Sequence, residues 1–285
     1  MDWNFIIFSA VKIIGVFSVL MFIVAYAVWV ERKVSAAIQD RIGPNRFGPF
    51  GLLQPAADGI KSFLKEDFTP AHVRKVYFWL APAITMIPGI VVVAVIPFGS
   101  YIGHQKMVIA DLNVGVLYTF GIVSLGVYGI VLAGYASNSK FPFLGGIRSS
   151  AQLISYEIAM GMSVVALFMM TGDLNLSQVV EHQAGWFRAV PFLPNWLVFK
   201  QPLAFIIFMV AAFAETNRTP FDLPEAEQEL AGGYNVEYSS MKFALFFMGE
   251  YANVTAVSAM MVTLFFGGWS LPFAGFDQPA GPDQW

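Results

Sequence analysis

The sequence predicts an all-α integral membrane protein, with about six transmembrane helices and one interfacial amphipathic helix in the first cytoplasmic loop. Three observations support this fold class. Hydrophobic residues make up 57% of the 285 residues, and charged residues only 12%. The apolar residues fall into long spans, and half of the Lys and Arg lie in one segment between two of these spans. Few water-soluble folds could bury so large an apolar fraction, so helices that face lipid are the natural alternative.

The apolar spans divide the chain, which we interpret as a single transmembrane domain over residues 1–285. They lie near residues 5–30, 76–98, 114–136, 150–171, 199–215 and 241–268. The fifth span is the weakest, because Lys200 and Gln201 interrupt it. Its continuous apolar run, from Pro202 to Ala214, is shorter than the roughly 20 residues of a spanning helix. Tilt, or a partly broken helix shielded by its neighbours, would reconcile this span with a membrane crossing.

The distribution of Lys and Arg predicts the orientation in the membrane. The first loop carries eight of them: Arg32, Lys33, Arg41, Arg46, Lys61, Lys65, Arg74 and Lys75. The second and fourth loops together carry only Lys106, Arg188 and Lys200. Because positive loops stay in the cytoplasm, we expect the loops 31–75, 137–149 and 216–240 to be cytoplasmic and both termini to lie on the opposite side.

The first loop combines an irregular segment with a helix. The glycines and prolines of residues 43–49 exclude a helix there. Residues 52–65 place apolar side chains at helical spacing, while the opposite face carries Gln54, Asp58, Lys61 and Lys65. This pattern is typical of a helix that lies in the membrane interface. Its charged strip either rests among lipid headgroups or faces another protein or a polar ligand that enters from the lipid.

Acidic residues inside the apolar spans are the clearest functional signal. Glu31 closes the first span, Glu215 closes the fifth, and Glu157 and Glu250 lie within the fourth and sixth. An ionised acid near the bilayer centre costs about 2.5–3.5 kcal/mol. For Glu250 alone, a buried ion pair is a sufficient interpretation. Glu157, Glu215 and Glu250 together favour a hydrated interior in which neighbouring carboxylates exchange protons.

Two further features belong to this interpretation. The loop after the fifth span is rich in acids, which are Glu215, Asp222, Glu225, Glu227, Glu229 and Glu237. Phe246, about one turn before Glu250, is a candidate for lining an apolar slot, although lipid contact is the simpler interpretation.

Lys12 lies near the end of the first span, and we expect it to extend its amine to the surface.

The composition excludes several classes of function. The chain has no cysteine, so disulfides, thiolate iron–sulfur ligands and a cysteine nucleophile are excluded. The three histidines, His72, His104 and His182, are far apart, and we predict no metal or haem site. The net charge of −3 gives no reason to expect a nucleic-acid partner.

Several motifs carry a resemblance to a known family. They are Glu31–Lys33, Gln39–Arg46, Gly51–Asp58, Lys65-Glu66, Ser155–Glu157, Glu215–Asp222 and Glu225–Glu227. In these motifs, and over nearly its whole length, the chain resembles the H subunits of bacterial NADH-quinone oxidoreductase, a family of membrane subunits of respiratory complex I. The family usually continues with two further transmembrane helices. This chain instead stops in the polar segment 276–285, so either it is truncated or incomplete, or its short C-terminus is natural.

The resemblance implies a non-redox subunit of a multisubunit translocase in the bacterial cell inner membrane, not catalytic alone. It would form the membrane side of the chamber for quinone (ubiquinone in many respiratory chains). It would also couple the reduction of quinone to proton translocation. Flavin, iron–sulfur clusters and NADH would belong to partner subunits of the membrane and peripheral arms. The implied quinone-binding residues are Arg32, Gln39, Arg41, Asp58, Lys61, Arg218, Asp222 and Phe246. The implied proton-relay residues are Glu31, Glu157, Glu215, Glu225, Glu227, Glu229 and Glu250.

Two other functions remain open at this point. One is the homologous membrane subunit of an energy-converting hydrogenase, which would share the fold and serve a proton-reducing partner. The other is a stand-alone cation transporter or channel. That function would explain the buried acids, but it would not explain the amphipathic first loop or the acid-rich loop.

Overall fold

A computed structural model of the chain describes residues 3–102, 105–187, 193–223, 225 and 232–270. The helices are α1 (Trp3–Ile38), α2 (Gln54–Leu64), α3 (Lys75–Val91), α4 (Gly115–Ala136), α5 (Lys140–Thr171), α6 (Leu176–His182), α7 (Leu197–Lys200), α8 (Pro202–Glu215) and α9 (Ser240–Phe265). Single turns of 3₁₀ helix occupy Pro49–Gly51 and Val92–Val95. Two short antiparallel strands, β1 (Tyr101–Ile102) and β2 (Gln105–Lys106), form the sheet within these ranges.

The predicted fold class is confirmed. Among the described residues, five helices are long and apolar enough to cross a membrane: Ile6–Ile38, Lys75–Val95, Gly115–Ala136, Lys140–Thr171 and Ser240–Phe265. The fifth predicted span is broken at Gln201 into α7 and the 14-residue α8. A helix of 14 residues is about 21 Å long, which is less than the roughly 30 Å of the hydrocarbon core. Its place as a sixth crossing stays a prediction.

Two predicted boundaries differ from the structure. Residues 140–149, expected in a loop, form the first turns of α5, which begins at Lys140 and runs unbroken to Thr171. The glycines there allow close packing and mark no turn. A Cβ on Gly145 would lie 2.6 Å from the backbone of Gly233, and one on Gly146 would lie 3.3 Å from a carbonyl oxygen of α4. The first helix also continues to Ile38, because the polar residues that follow its apolar span still favour helix.

Helix α2 forms where the amphipathic pattern predicted it. It covers Gln54–Leu64, and none of its side chains is fully buried. The predicted irregular segment before it contains one 3₁₀ turn at Pro49–Gly51 and is otherwise free of helix. Of the predicted polar face of α2, Gln54 and Asp58 line a groove that is described below, whereas Lys61 is exposed.

Helices α3, α4, α5, α8 and α9 form the packed bundle. One core cluster includes Phe78, Ile130, Leu153 and Phe246, and a second, larger cluster includes Val164, Phe208 and Leu264 among others. Helix α1 lies at the edge, where Leu20 and Val24 pack on Tyr251 and Ala252 of α9. Few side chains of α1 are buried, so its position depends strongly on polar contacts near its two ends.

One of these contacts is made by Lys12. Its Nζ donates to the carbonyl oxygens of Val108 (3.0 Å) and Lys106 (3.3 Å). The amine was predicted to extend to the membrane surface, and in the structure it binds backbone groups of the protein. The Lys106 amine in turn lies 2.6 Å from the Asp111 carboxylate, which also accepts from Asn175 at 2.8 Å. Burial alone would raise the pKa of Asp111, but the hydrogen bonds from Lys106 and Asn175 outweigh it and hold the pKa below its ordinary value.

This network makes stability depend on pH. Because the pKa of Asp111 is lowered in the folded chain, its contribution is present at neutral pH and is lost as the pH falls through the folded pKa, below about 4. We expect Asp111→Asn to lower the free energy of unfolding by about 1 kcal/mol at pH 7. Thermal melting in detergent measures this difference, which should shrink below about pH 4. Asp40→Asn, at an exposed position, is the matched control, and a difference that stays constant down to pH 3 would contradict the assignment.

Candidate functional site

An apolar groove lies between α1, α2 and α9. It has a volume of about 480 Å³. Its walls are mostly apolar side chains of α1 and α9, among them Val24, Ala25, Val28, Phe243, Ala244 and Phe247. Its polar groups come mainly from α2 and the end of α1. A concave, mainly apolar site with a few polar groups is typical of a small amphiphilic ligand.

The polar groups of this groove are joined to one another. Arg32 Nη1 donates to Asp58 Oδ2 at 2.6 Å, and Gln54 Nε2 donates to Asp58 Oδ1 at 3.0 Å. Both oxygens of Asp58 are therefore engaged, and the pair links α1 to α2. The ion pair is half-exposed, so a ligand in the groove could reach its charged groups.

A second, more polar recess adjoins the groove. It has a volume of about 360 Å³ and is lined by Glu31, Arg32, Ser35, Ala36, Arg41, Ile42, Gly43 and Pro44. Arg32 lines both hollows. The guanidinium of Arg41 donates to the side chain of Gln39. Two predicted quinone residues, Arg32 and Arg41, thus lie together here, and Gln39 lies beside them.

Arg218 connects the edge helix to the bundle. It follows α8, and its backbone N–H is held by the carbonyl of Phe213 at 3.0 Å. Its Nη1 lies 3.0 Å from Glu31 of α1, and its Nη2 lies 3.0 Å from Glu250 of α9. We call this arrangement the Arg218 bridge. Burial lowers the pKa of Arg218, but the Glu250 carboxylate, the contact with Tyr251 and the Glu31 carboxylate together outweigh it and hold the pKa above its ordinary value, so the guanidinium stays charged.

Tyr251 ties the Arg218 bridge to the groove. Its hydroxyl donates to Glu31 at 2.6 Å, and its ring lies 4.5 Å from the Arg218 guanidinium, within range of a cation–π contact. The same side chain lines the groove. The groove and the Arg218 bridge therefore share a wall residue.

A small inner cavity lies on the other side of the bridge. Its volume is about 30 Å³, enough for one or two water molecules. It is lined by Thr85, Val123, Gly126, Val127, Ile130, Leu153, Glu215, Thr216, Asn217, Glu225, Tyr234, Phe246, Glu250 and Asn253. Three of the predicted relay acids, Glu215, Glu225 and Glu250, thus face one cavity.

Some polar groups of the inner cavity have hydrogen-bond partners among the described residues and two do not. Glu225 Oε1 accepts from the amide of Asn217 (3.1 Å) and from the hydroxyl of Tyr234 (3.3 Å). Glu215 is only 7% exposed. Its Oε2 and the Oδ1 of Asn253 have no hydrogen-bond partner among the described residues. Buried acceptors of this kind create a strong demand for a proton or a hydrogen-bond donor.

Glu157 does not line the cavity. Its carboxylate accepts from the hydroxyl of Ser124 in α4, next in sequence to the lining residue Val123. Earlier in α5, Gln152 donates to the carbonyl oxygens of Ala214 (3.0 Å) and Phe221 (2.9 Å). These bonds fix the loop that carries Arg218 against α5.

The structure separates the predicted residues into groups. Arg32 and Asp58 line the groove, whereas Arg218 lies between the groove and the inner cavity. Phe246 lines the inner cavity and is buried against Tyr234 and Tyr238. Its neighbours Phe243 and Phe247 line the groove instead. Lys61 is exposed and Asp222 is half-buried, and neither lines the hollows described above. Glu227 and Glu229 lie outside the described residues.

Two residues of the site were not predicted from the sequence. Tyr251 follows Glu250 directly, and Asn253 lies within one turn of it in α9. A polar side chain at this depth of an apolar span is a usable signal, because such groups need a partner inside the bundle. No group of three His, Asp or Glu side chains within the described ranges is arranged to hold a metal ion.

Comparison with known proteins agrees with this architecture. Residues 11–281 match the protein family described as NADH dehydrogenase. The chain is 49% identical to an NADH-quinone oxidoreductase H subunit of Cytophaga hutchinsonii, over 96% of this chain and 80% of the relative. It is 47% identical to the NADH-quinone oxidoreductase H subunit of Thermomicrobium roseum, over 96% of this chain and 82% of the relative. The resemblance predicted from the motifs is confirmed, and the chain belongs to the NADH dehydrogenase family of membrane subunits.

Proposed function

We propose that this chain is a membrane subunit of a proton-translocating NADH:quinone oxidoreductase, in which it forms part of the quinone path and the acidic relay. The observation that carries the proposal is the Arg218 bridge. It joins an apolar groove, through Glu31 and Tyr251, to an inner cavity lined by Glu250. The apolar groove and the acids of the inner cavity therefore belong to one connected structure, which supports a coupling between them.

The groove suits the chemistry of a quinone. Its apolar walls on α1 and α9 would hold the isoprenoid tail, and burial of such a tail is favourable by about 25 cal/mol per Å². The Arg32–Asp58 pair on the groove lining provides donors and acceptors for the carbonyl oxygens of the ring. The names of the relatives favour quinone over the proton-reducing partner of a hydrogenase.

The relay would work by electrostatics. Two unit charges about 4 Å apart interact by roughly 4 kcal/mol at an effective dielectric constant of 20. A proton added to Glu31 would leave Arg218 with Glu250 as its remaining carboxylate, and the hold of Arg218 on Glu250 would tighten. Glu250 would thus be held in its ionised form, and its negative charge would act across the inner cavity on Glu215, and from there on Glu157. Glu225, and beyond it Glu227 and Glu229, would extend the same path in the loop.

Electron transfer would take place on partners. The chain has no cysteine to ligate an iron–sulfur cluster, so clusters would be bound by peripheral subunits. Flavin and NADH would be bound there as well, with quinone as the substrate. The protein would lie in a bacterial inner membrane as a multi-pass subunit, with residues 31–75 and 216–240 on the cytoplasmic side. Other membrane-arm subunits would receive the charge change from Glu157 and Glu250.

Filling the groove tests the quinone path. Ala25→Phe adds an aromatic ring between α1 and α9, so we expect it to raise the KM for a long-tailed quinone about tenfold in the assembled complex. The oxidation of NADH by ferricyanide should be unchanged, because it bypasses quinone. Ile23→Phe, on the exposed face of the same helix, is the matched control. A KM within about twofold of the wild type would contradict the assignment of the groove.

Neutralising the buried acids tests the relay. We expect Glu157→Gln, Glu215→Gln and Glu250→Gln each to slow proton uptake coupled to NADH:quinone turnover by about tenfold or more, because each removes a proton-carrying group. Proton uptake and NADH oxidation are measured together in vesicles that contain the complex. Glu181→Gln, an exposed acid on α6, is the control. The proposal fails if all three variants keep the wild-type rate and stoichiometry.

A further inference from the structure

Lys242 is a buried cation at the start of α9. It is 4% exposed. Its Nζ lies 3.0 Å from the Asp67 carboxylate and 2.8 Å from the hydroxyl of Thr69. It also lies 4.0 Å from the ring centre of Trp79 and 5.0 Å from that of Phe78. The amine is therefore held by an anion, a hydroxyl and two aromatic faces, and none of these contacts takes part in the Arg218 bridge or the inner cavity.

The residues before Lys242 bind the end of α2. The hydroxyl of Ser240 donates to the carbonyl oxygens of Ser62 (3.0 Å) and Lys65 (2.9 Å). The hydroxyl of Ser239 accepts from the backbone N–H of Phe68 at 3.2 Å. The last carbonyls of a helix have no partner within the helix, so these bonds fasten the carboxyl end of α2 to the amino end of α9. We call this set of contacts, from Ser62–Thr69 to Ser239–Lys242, the α2–α9 pin.

The pin adjoins the groove directly. Ser62 and Phe63, at one side of it, and Met241, at the other, are groove-lining residues. Helix α2 buries none of its side chains fully, and its other charged tie, Arg32–Asp58, is half-exposed. Hydrophobic packing therefore contributes little to the position of α2. The Lys242 side chain is 4% exposed and that of its partner Asp67 is 39% exposed, whereas both side chains of the Arg32–Asp58 pair are well exposed, so Lys242 is the better-shielded cation at this wall of the groove.

We propose that Lys242 is a positioning residue for the quinone path. By holding Asp67 and Thr69, it fixes α2 against α9 and thereby sets the width of the groove. The inference rests on the proposed function, because it assumes that quinone uses the groove. Lys242 itself acts only through α2 and touches no substrate.

Breaking the pair should loosen α2 and weaken quinone binding. We expect Lys242→Met, which keeps the length and the apolar stem, and Asp67→Asn each to raise the KM for quinone about threefold to tenfold. The kcat, normalised to the ferricyanide activity of the same complex, should stay within about twofold. Backbone hydrogen exchange in α2 should be faster, while that in α4 is unchanged. Because both variants break one pair, Lys242→Met/Asp67→Asn should resemble the stronger single variant.

Two controls make the result decisive. Lys75→Met removes an exposed charge at the first residue of α3 and should leave the KM for quinone unchanged. Asp67→Glu should retain most of the wild-type affinity because it keeps the anion. Unchanged KM and unchanged exchange of α2 in Lys242→Met and Asp67→Asn would overturn the inference. The Ala25→Phe variant separates the two proposals. If Ala25→Phe raises the KM and the pin variants do not, the role of the pin is wrong. If neither Ala25→Phe nor the pin variants change the KM, the assignment of the groove to the quinone path is wrong.

Discussion

The structure depends on the pairing of one guanidinium with two carboxylates from different helices. Arg218 lies between Glu31 of α1 and Glu250 of α9, at 3.0 Å from each. Helix α1 has few buried side chains with which to hold itself against the bundle. The Arg218 bridge near one end and the Lys12 hydrogen bonds near the other therefore fix the helix. Loss of either carboxylate would leave a partly buried cation with incomplete compensation, which is strongly unfavourable.

A small cavity between closely packed helices explains how an apolar bundle accommodates its acids. The helices approach closely at glycines. A Cβ on Gly129 of α4 would lie 2.2 Å from the hydroxyl of Thr85 in α3, and one on Gly134 would lie 2.6 Å from a carbonyl oxygen of α5. This tight packing leaves a cavity of about 30 Å³. Glu215, Glu225 and Glu250 line that cavity, so they face a space of water-molecule size within the bundle. The acids are thus spared contact with hydrocarbon, where their charge would be most costly.

The fold class and most of the helices could be predicted from the sequence, since hydrophobic spans and the amphipathic period of α2 are local patterns. The start of α5 could not, because Gly145 and Gly146 look like loop residues until their packing partners Gly233 and Ile130 are known. The break at Gln201 was visible in the sequence as an interruption of the apolar run. The outcome at such positions depends on which helix lies nearby, and a single sequence does not contain that information.

The candidate site, too, could be predicted only in part. The acids could be identified as candidates because a carboxylate in an apolar span is energetically costly unless it is paired or hydrated. Their grouping could not be predicted, since Glu31 and Arg218 are 187 residues apart in the chain. Phe246 and Phe247 are adjacent, yet one faces the inner cavity and the other the groove. The rotation of α9 decides between them, and that rotation is set by its contacts with α3 and α1.

The most direct test of the account is a double-mutant cycle between Glu31→Gln and Glu250→Gln, measured as quinone-reductase activity normalised to ferricyanide reduction. If Arg218 couples the groove to the inner cavity, the two effects should be non-additive by about 1 kcal/mol or more, and the coupling should vanish in an Arg218→Gln background. Effects that add within about 0.5 kcal/mol while Arg218 is present would contradict the account, because independent sites behave in that way.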